Sequence, residues 1–458
     1  MTGLVIISLY FLVMLAIGVA SRRKAREVDD FFVAGRKNSS PFIVGSLLAT
    51  IIGGSATIGM AGLGFKQGLT GAWWLLVGSI GLVFLGLFFA RKVRKLALYT
   101  LPELVEKQYD RRMALAASIL IVVAWIGIIA AQIIAAGKIM GILVTGSPAM
   151  WMVIFTVIFV AYTVLGGQHA VIRTDLLQAV IIFVGIFVGL ALLLTRLGGW
   201  EGLQSSLPAE RFAFPLSTQF DGAALITLLL LVGLTYVVGP DMYSRIFCAR
   251  DDGVAKTATL WTAALIIPLA FAITVIGMGA AALFPDIAPE QAFPTVISEL
   301  FSPLLSGIVL AALLCAVMSS ADTTLLSAST ILSIDIIGRF RPATSQKNIL
   351  PRSRLAIVLL GICALVVALM LKGVISALLF AYTIYTSGVI LPVLAGFFRN
   401  RLKVTPAGAL AALIGGGTVG LISKLFAVKY LDLGALLISG VLLFLVSYVN
   451  RRFRSTAR

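Results

Sequence analysis

One carboxylate stands out by its position. Asp322 lies deep in an apolar run that begins near Pro303, in the stretch Ala316-Val317-Met318-Ser319-Ser320-Ala321-Asp322-Thr323. An ionisable side chain at mid-membrane costs about 2.5–3.5 kcal/mol on insertion scales, so it needs a partner or a water-filled cavity. At about 100° per residue, Ala316, Ser319, Ser320, Thr323, Ser327 and Thr330 share one helix face, and Asp322 falls on its flank beside Ser319. A small-residue stripe also serves helix packing, with serines bonded back to their own backbone. Packing alone leaves the carboxylate without a reason. Hard cations prefer oxygen ligands, and hydroxyls with backbone carbonyls suit a monovalent ion that must be released in each cycle.

Three further stretches carry chemistry. Thr50-Ile51-Ile52-Gly53-Gly54-Ser55-Ala56-Thr57-Ile58-Gly59 sets paired glycines and hydroxyls in the middle of an apolar run. Close packing is one reading. The other is a broken helix whose freed carbonyls hold an ion and whose half-helix end meets a solute. Val237-Val238-Gly239-Pro240-Asp241 is a similar interruption five spans later, and such pairs point to an inverted-repeat transporter. Gly166-Gly167-Gln168-His169 reads as a short inside turn, followed by Thr174-Asp175 and Gln178; Asp175 reads as a helix-start carboxylate or as a ligand, and His169 as a loop residue. Gly415-Gly416-Gly417-Thr418-Val419-Gly420 fits the dinucleotide pattern but sits in an apolar run without a preceding strand. Gly185 and Gly189 form a GxxxG packing surface.

The elements that must position these residues follow from composition. Of 458 residues, 60% are hydrophobic and 12% charged, whereas soluble domains run near about 45–50% apolar and about 25% charged. The long apolar runs predict an all-α integral membrane protein, since a barrel would show short alternating segments. Thirteen spans are expected: 3–20, 41–65, 71–90, 114–141, 147–166, 170–196, 222–239, 256–284, 303–335, 352–371, 375–397, 405–425 and 431–449. Arg22, Arg23 and Lys24 follow the first run, which marks it as a retained helix rather than a cleaved leader. Across the alternating loops, 29 of the 36 basic residues fall on one side, among them Arg173, Arg245, Arg250 and Lys256, and 7 on the other. The positive-inside rule then gives an outside N-terminus and an inside C-terminus. The net charge of +17 thereby encodes orientation, and no nucleic-acid partner is expected. Three scattered cysteines and one histidine form neither a disulfide framework nor a metal motif.

Taken together, these segments resemble the sodium/solute symporter family over nearly the whole chain. Asp30-Phe31-Phe32-Val33-Ala34-Gly35-Arg36 is similar to that family's segment after its first helix. Gly166-Gly167, Ala170-Val171 and Thr174-Asp175 with Gln178 are similar to its signature entering the sixth span, and Ala316 to Asp322 to its ion-site helix. The resemblance implies one transporter domain over 1–458 with a LeuT-type 5+5 inverted repeat. One extra helix at 3–20 precedes the first repeat at 41–196 and the second at 222–397. Two extra helices at 405–449 follow. It implies Na+ as the coupling ion, held by carbonyls of Ala49, Ile52 and Ala316 and hydroxyls of Ser319 and Ser320. A second cation site in some members corresponds to Asp175, Ser319, Asp322 and Thr323; members with that site often have Ser where Asp322 stands, which leaves a second sodium, a proton or a structural pair open. The solute would meet Ser55, Ala56, Thr57, Gln132 and Tyr236. Sugar-transporting members have Gln at the position of Ala56, which weakens a sugar reading; the Phe88-Phe89-Ala90 region and the stretch from Met318 to Asp322 look closest to the choline-transporting branch.

The expected function is sodium-coupled import of a small polar organic solute by alternating access, as a multi-pass protein of the cell membrane. The alternatives are a proton-coupled transporter of the same fold, a channel, and a membrane-embedded enzyme. A channel lacks a filter loop here, and an enzyme lacks a convergent acid, base or metal cluster.

Overall fold

The computed structural model describes residues 2–21, 27–143, 146–340, 346–371, 373–426 and 431–456. The basic residues Arg22, Arg23, Lys24, Arg26, Arg341, Lys372, Lys429 and Arg458, used above to read orientation, lie outside the described residues. Helices dominate, and the β-pairing among the described residues is confined to isolated bridges. Among the described residues, ten helical segments are long and apolar enough to cross a membrane.

The expected spans map onto these segments unequally. Spans 147–166 and 170–196 follow each other without a loop as two helices within Pro148–Leu197, meeting at a kink where Gly167 leaves helical geometry with φ 53° and ψ −157°. At 1.5 Å per residue an unbroken helix of that length would reach roughly 75 Å, more than twice the hydrocarbon core. Span 41–65 is interrupted. Ser40–Ile51 stops where Ile52 turns to φ −86°, ψ 71°, and the chain resumes as a π-turn, Ser55–Gly59, followed by Met60–Gln67. Span 222–239 is interrupted in the same way. Gly222–Leu228, a π-turn at Leu229–Gly233 and Leu234–Val237 stop at Val238 with φ −132°, ψ 65°, and Pro240 opens a new helix, Pro240–Cys248. Proline suits that first helical position because its missing N–H is an orphan there anyway.

The serine-rich helix Pro303–Ile331 runs through the centre. In the segment Pro303–Phe340 83% of the apolar window is buried in protein, against 28% for Leu431–Phe453 at the periphery. It packs chiefly on Pro148–Leu197 and Arg111–Leu143, and Ser40–Ile51 packs on Pro148–Leu197 as well. The helices Pro406–Leu425 and Leu431–Thr456 pack mainly on each other. The glycine motif 415–420 lies inside the first of these, where Gly416 touches the backbone of Ser387, so it is a packing surface.

Candidate functional site

The interruption at Ile52 redirects backbone groups across the bundle. In a continuous helix the Gly54 N–H would bond the Thr50 carbonyl. Here it donates to Gln132 Oε1 at 2.8 Å, and the Thr50 carbonyl instead accepts the Ser320 hydroxyl at 2.7 Å. The same hydroxyl lies 3.4 Å from the Ala49 carbonyl. The two glycines permit this approach. A Cβ on Gly53 would stand 2.4 Å from Ser320 Oγ, and one on Gly54 would stand 2.3 Å from Ala135 Cβ. Of the five residues expected around Na+, Ala49 and Ser320 thus meet directly. Ile52, Ala316 and Ser319 are buried as well.

Next to this cluster lies a fully buried ion pair. The Asp175 and Arg245 side chains have no solvent exposure, with Arg245 Nη2 at 3.4 Å from Asp175 Oδ2. Ser319 Oγ donates to Asp175 Oδ1 at 2.5 Å, and Ser46 donates to the other oxygen. Arg245 also donates to Thr323, whose hydroxyl is 3.2 Å from that of Thr50. Two sequence readings change. Asp175 is a buried acceptor within Pro148–Leu197, not a helix-start charge. Arg245, counted with the inside loops, is buried in the protein, which removes one residue from that side without altering the bias. The network brings together Asp175, Ser319 and Thr323 of the expected second site. Asp322 is buried on the same helix, and neither of its carboxylate oxygens has a hydrogen-bond partner among the described residues.

A small polar cavity of about 30 Å³ adjoins the first of these clusters, at Thr50 and Ser320. That is room for roughly one water. Ser55, Gln132 and Tyr236 line it, together with Thr50 and Ser320. Ala56 and Thr57 are fully buried off this wall, with the Thr57 hydroxyl bonded to the Gly53 carbonyl at 2.9 Å. Sequence reasoning missed Thr235, Asp241, Thr324 and Tyr382 on the wall. A signal existed for Asp241, since it follows the Gly239-Pro240 interruption and precedes Arg245 by one helical turn. The other three resemble ordinary residues of apolar helices.

The segment Asp30–Arg36 links the two broken spans. Arg36 donates to the carbonyls of Leu98 (3.1 Å) and Phe247 (3.4 Å), and Asn38 pairs with Ala249. Beside it, burial and a hydrogen bond to Asp29 push the Tyr99 hydroxyl up to about 12, so it stays a donor at neutral pH. His169 is not a free loop side chain, since its Nε2 lies 3.5 Å from Asp30.

Residues 31–416 match the model of the Sodium:solute symporter family. The chain belongs to this family. Its members are transporters and not enzymes, and Na+ is the coupling ion. Among curated relatives, the chain is 25% identical to sodium/glucose cotransporter 4 of Danio rerio, over 93% of this chain and 72% of that one. It is 27% identical to the osmoregulated proline transporter OpuE of Bacillus subtilis strain 168, over 91% and 88% of the two chains. Among solved structures, a Na+-coupled sialic acid symporter in its substrate-bound outward-open state superposes with a TM-score of 0.83 over 98% of both chains, at 18% identity. That likeness carries the LeuT-type fold. This symporter is therefore a multi-pass membrane protein that moves a solute with sodium.

Proposed function

We propose that this symporter imports a small polar organic solute across the cell membrane by alternating access, drawn by the inward Na+ gradient. Thirteen spans belong to the proposal, with the N-terminus outside and the C-terminus inside. Residues 41–196 and 222–397 form the two inverted repeats, with 3–20 before them and 405–449 after. The matched interruptions at Ile52 and Val238 and the one-sided basic loops support this arrangement. Carbonyls of Ala49, Ile52 and Ala316 and hydroxyls of Ser319 and Ser320 hold the ion. Ser319 donates to Asp175 and keeps its lone pairs for a cation. The solute lies against Ser55, Gln132 and Tyr236, with Ala56 and Thr57 supporting the broken helix behind. Two relatives are named for glucose and proline, both small polar organic solutes.

The observation that carries the reading is the shared wall: Thr50 and Ser320 belong at once to the oxygen cluster and to the cavity. A second cation at Asp175, Ser319, Asp322 and Thr323 would share Asp175 and Thr323 with the Arg245 guanidinium. The sialic acid symporter's structure is described as revealing a novel Na+ site, which keeps this second position in the proposal.

The test is uptake into proteoliposomes of purified protein. Solute accumulation should follow an imposed inward Na+ gradient and vanish when K+ replaces Na+. Accumulation driven by a pH gradient at zero Na+ would replace the sodium reading with proton coupling.

A further inference from the structure

We infer that the solute carries a positively charged nitrogen, and that Asp241 is its counter-ion. This rests on the cavity being the solute site. Asp241 lies in the first turn of Pro240–Cys248 and lines the cavity, and the wall holds no Lys, Arg or His among the described residues. No basic nitrogen comes within 4 Å of its carboxylate among the described residues. Arg245, one turn further along the same helix, is committed to Asp175, Ser244 and Thr323. The first-turn amides offset part of the Asp241 charge, but a half-buried carboxylate lining a cavity with no basic neighbour still suits a cationic partner.

The rest of the wall suits such a partner. Tyr236, 8% exposed, and Tyr382 border the cavity with Asp241, and neither hydroxyl makes a hydrogen bond among the described residues. Aromatic faces attract cations within about 6 Å of the ring centroid, and more strongly when water is excluded. Gln132 accepts from Gly54 through Oε1, which leaves its amide N–H groups for a polar group elsewhere on the solute. A carboxylate that shares a cavity wall with two tyrosines suits an ammonium or quaternary ammonium group; a neutral polyol would leave the carboxylate charge uncompensated. At about 30 Å³ the cavity must widen as the helices move, which favours a compact solute.

The test is a thermal-shift titration of the purified full-length protein in detergent, in NaCl and in KCl. The probes are choline, glycine betaine and ethanolamine against glucose and myo-inositol. At least one nitrogen-bearing probe should stabilise the protein in NaCl, and the two neutral probes should not. Asp241→Asn should weaken that probe at least tenfold while leaving the stabilisation by Na+ alone in place. Tyr382→Phe should keep binding and Tyr382→Leu should lose it. Stabilisation by the neutral probes alone, or wild-type affinity for the nitrogen probe in Asp241→Asn, overturns the inference. If Asp241→Asn does not accumulate, the probe panel on the wild type and the Tyr382 pair decide. Equal stabilisation by a nitrogen probe in NaCl and KCl would leave the solute class standing and remove sodium coupling, so the two readings fail separately.

Discussion

A guanidinium with no solvent exposure is defined by what it touches. Arg245 meets Asp175 and Thr323, and Asp175 is completed by Ser46 and Ser319. Removing one partner of a buried pair strands the other charge, at a cost of about 3–5 kcal/mol. Asp175→Asn should therefore lower the melting temperature of the purified protein sharply. Adding Arg245→Met to it should restore much of the loss, because an apolar replacement leaves no orphan charge. Ser320→Ala should act more mildly. It deletes one oxygen that caps the Thr50 carbonyl, worth roughly 1 kcal/mol, and should raise the Na+ concentration for half-maximal uptake about fivefold. The serines were legible because hydroxyls at helical spacing in an apolar run are rare enough to notice. The pairing of Asp175 with Arg245 was not. The two lie 70 positions apart, and Arg245, followed closely by Arg250, Asp251 and Asp252, reads as the edge of a loop.

At the scale of elements, the interruptions were the most readable features. Glycine pairs and Gly-Pro steps disturb helices whatever surrounds them, so Ile52 and Val238 fall where the sequence suggested. What the sequence hid was where the freed groups go, since Gly54 reaches Gln132 on a helix whose spacing gives no hint of it. Gly53→Ala should push the Ser320 hydroxyl away and cost about 1–3 kcal/mol of strain, read as weakened Na+ stabilisation in a protein that still inserts. Gly167 tests a different property. Its φ of 53° with ψ of −157° is essentially a glycine conformation, and an added Cβ would also meet the Phe31 ring at 2.6 Å. Gly167→Ala should thus lower the melting temperature, with a cost of about 1–3 kcal/mol, whether or not Na+ is present.

The whole molecule is fastened at both ends of the bundle. Around Asn38, backbone bonds from Asn38 N to Cys248 O (3.3 Å) and from Arg250 N to Asn38 O (2.9 Å) tie the entry of one broken span to the exit of the other. At the opposite end, Lys138 pairs with Glu290, which also accepts the Val374 amide at 3.1 Å. Breaking only that second fastening, with Glu290→Gln, should favour opening on its side. Alkylation of a cysteine introduced as Ser55→Cys, in a background with Cys363 removed, should then speed up several-fold with an impermeant reagent. An unchanged rate would mean that the pair does not hold the cavity shut. The residues between these fastenings have a thermodynamic corollary. Because Thr50 and Ser320 face both the oxygen cluster and the cavity, occupancy of one cannot be energetically indifferent to the other. Reciprocity then fixes the sizes of the two effects. If sodium tightens the solute tenfold, about 1.4 kcal/mol, the solute must tighten sodium tenfold as well. A solute whose binding is blind to sodium would have to sit without touching either hydroxyl, and a wall this small leaves little room for that.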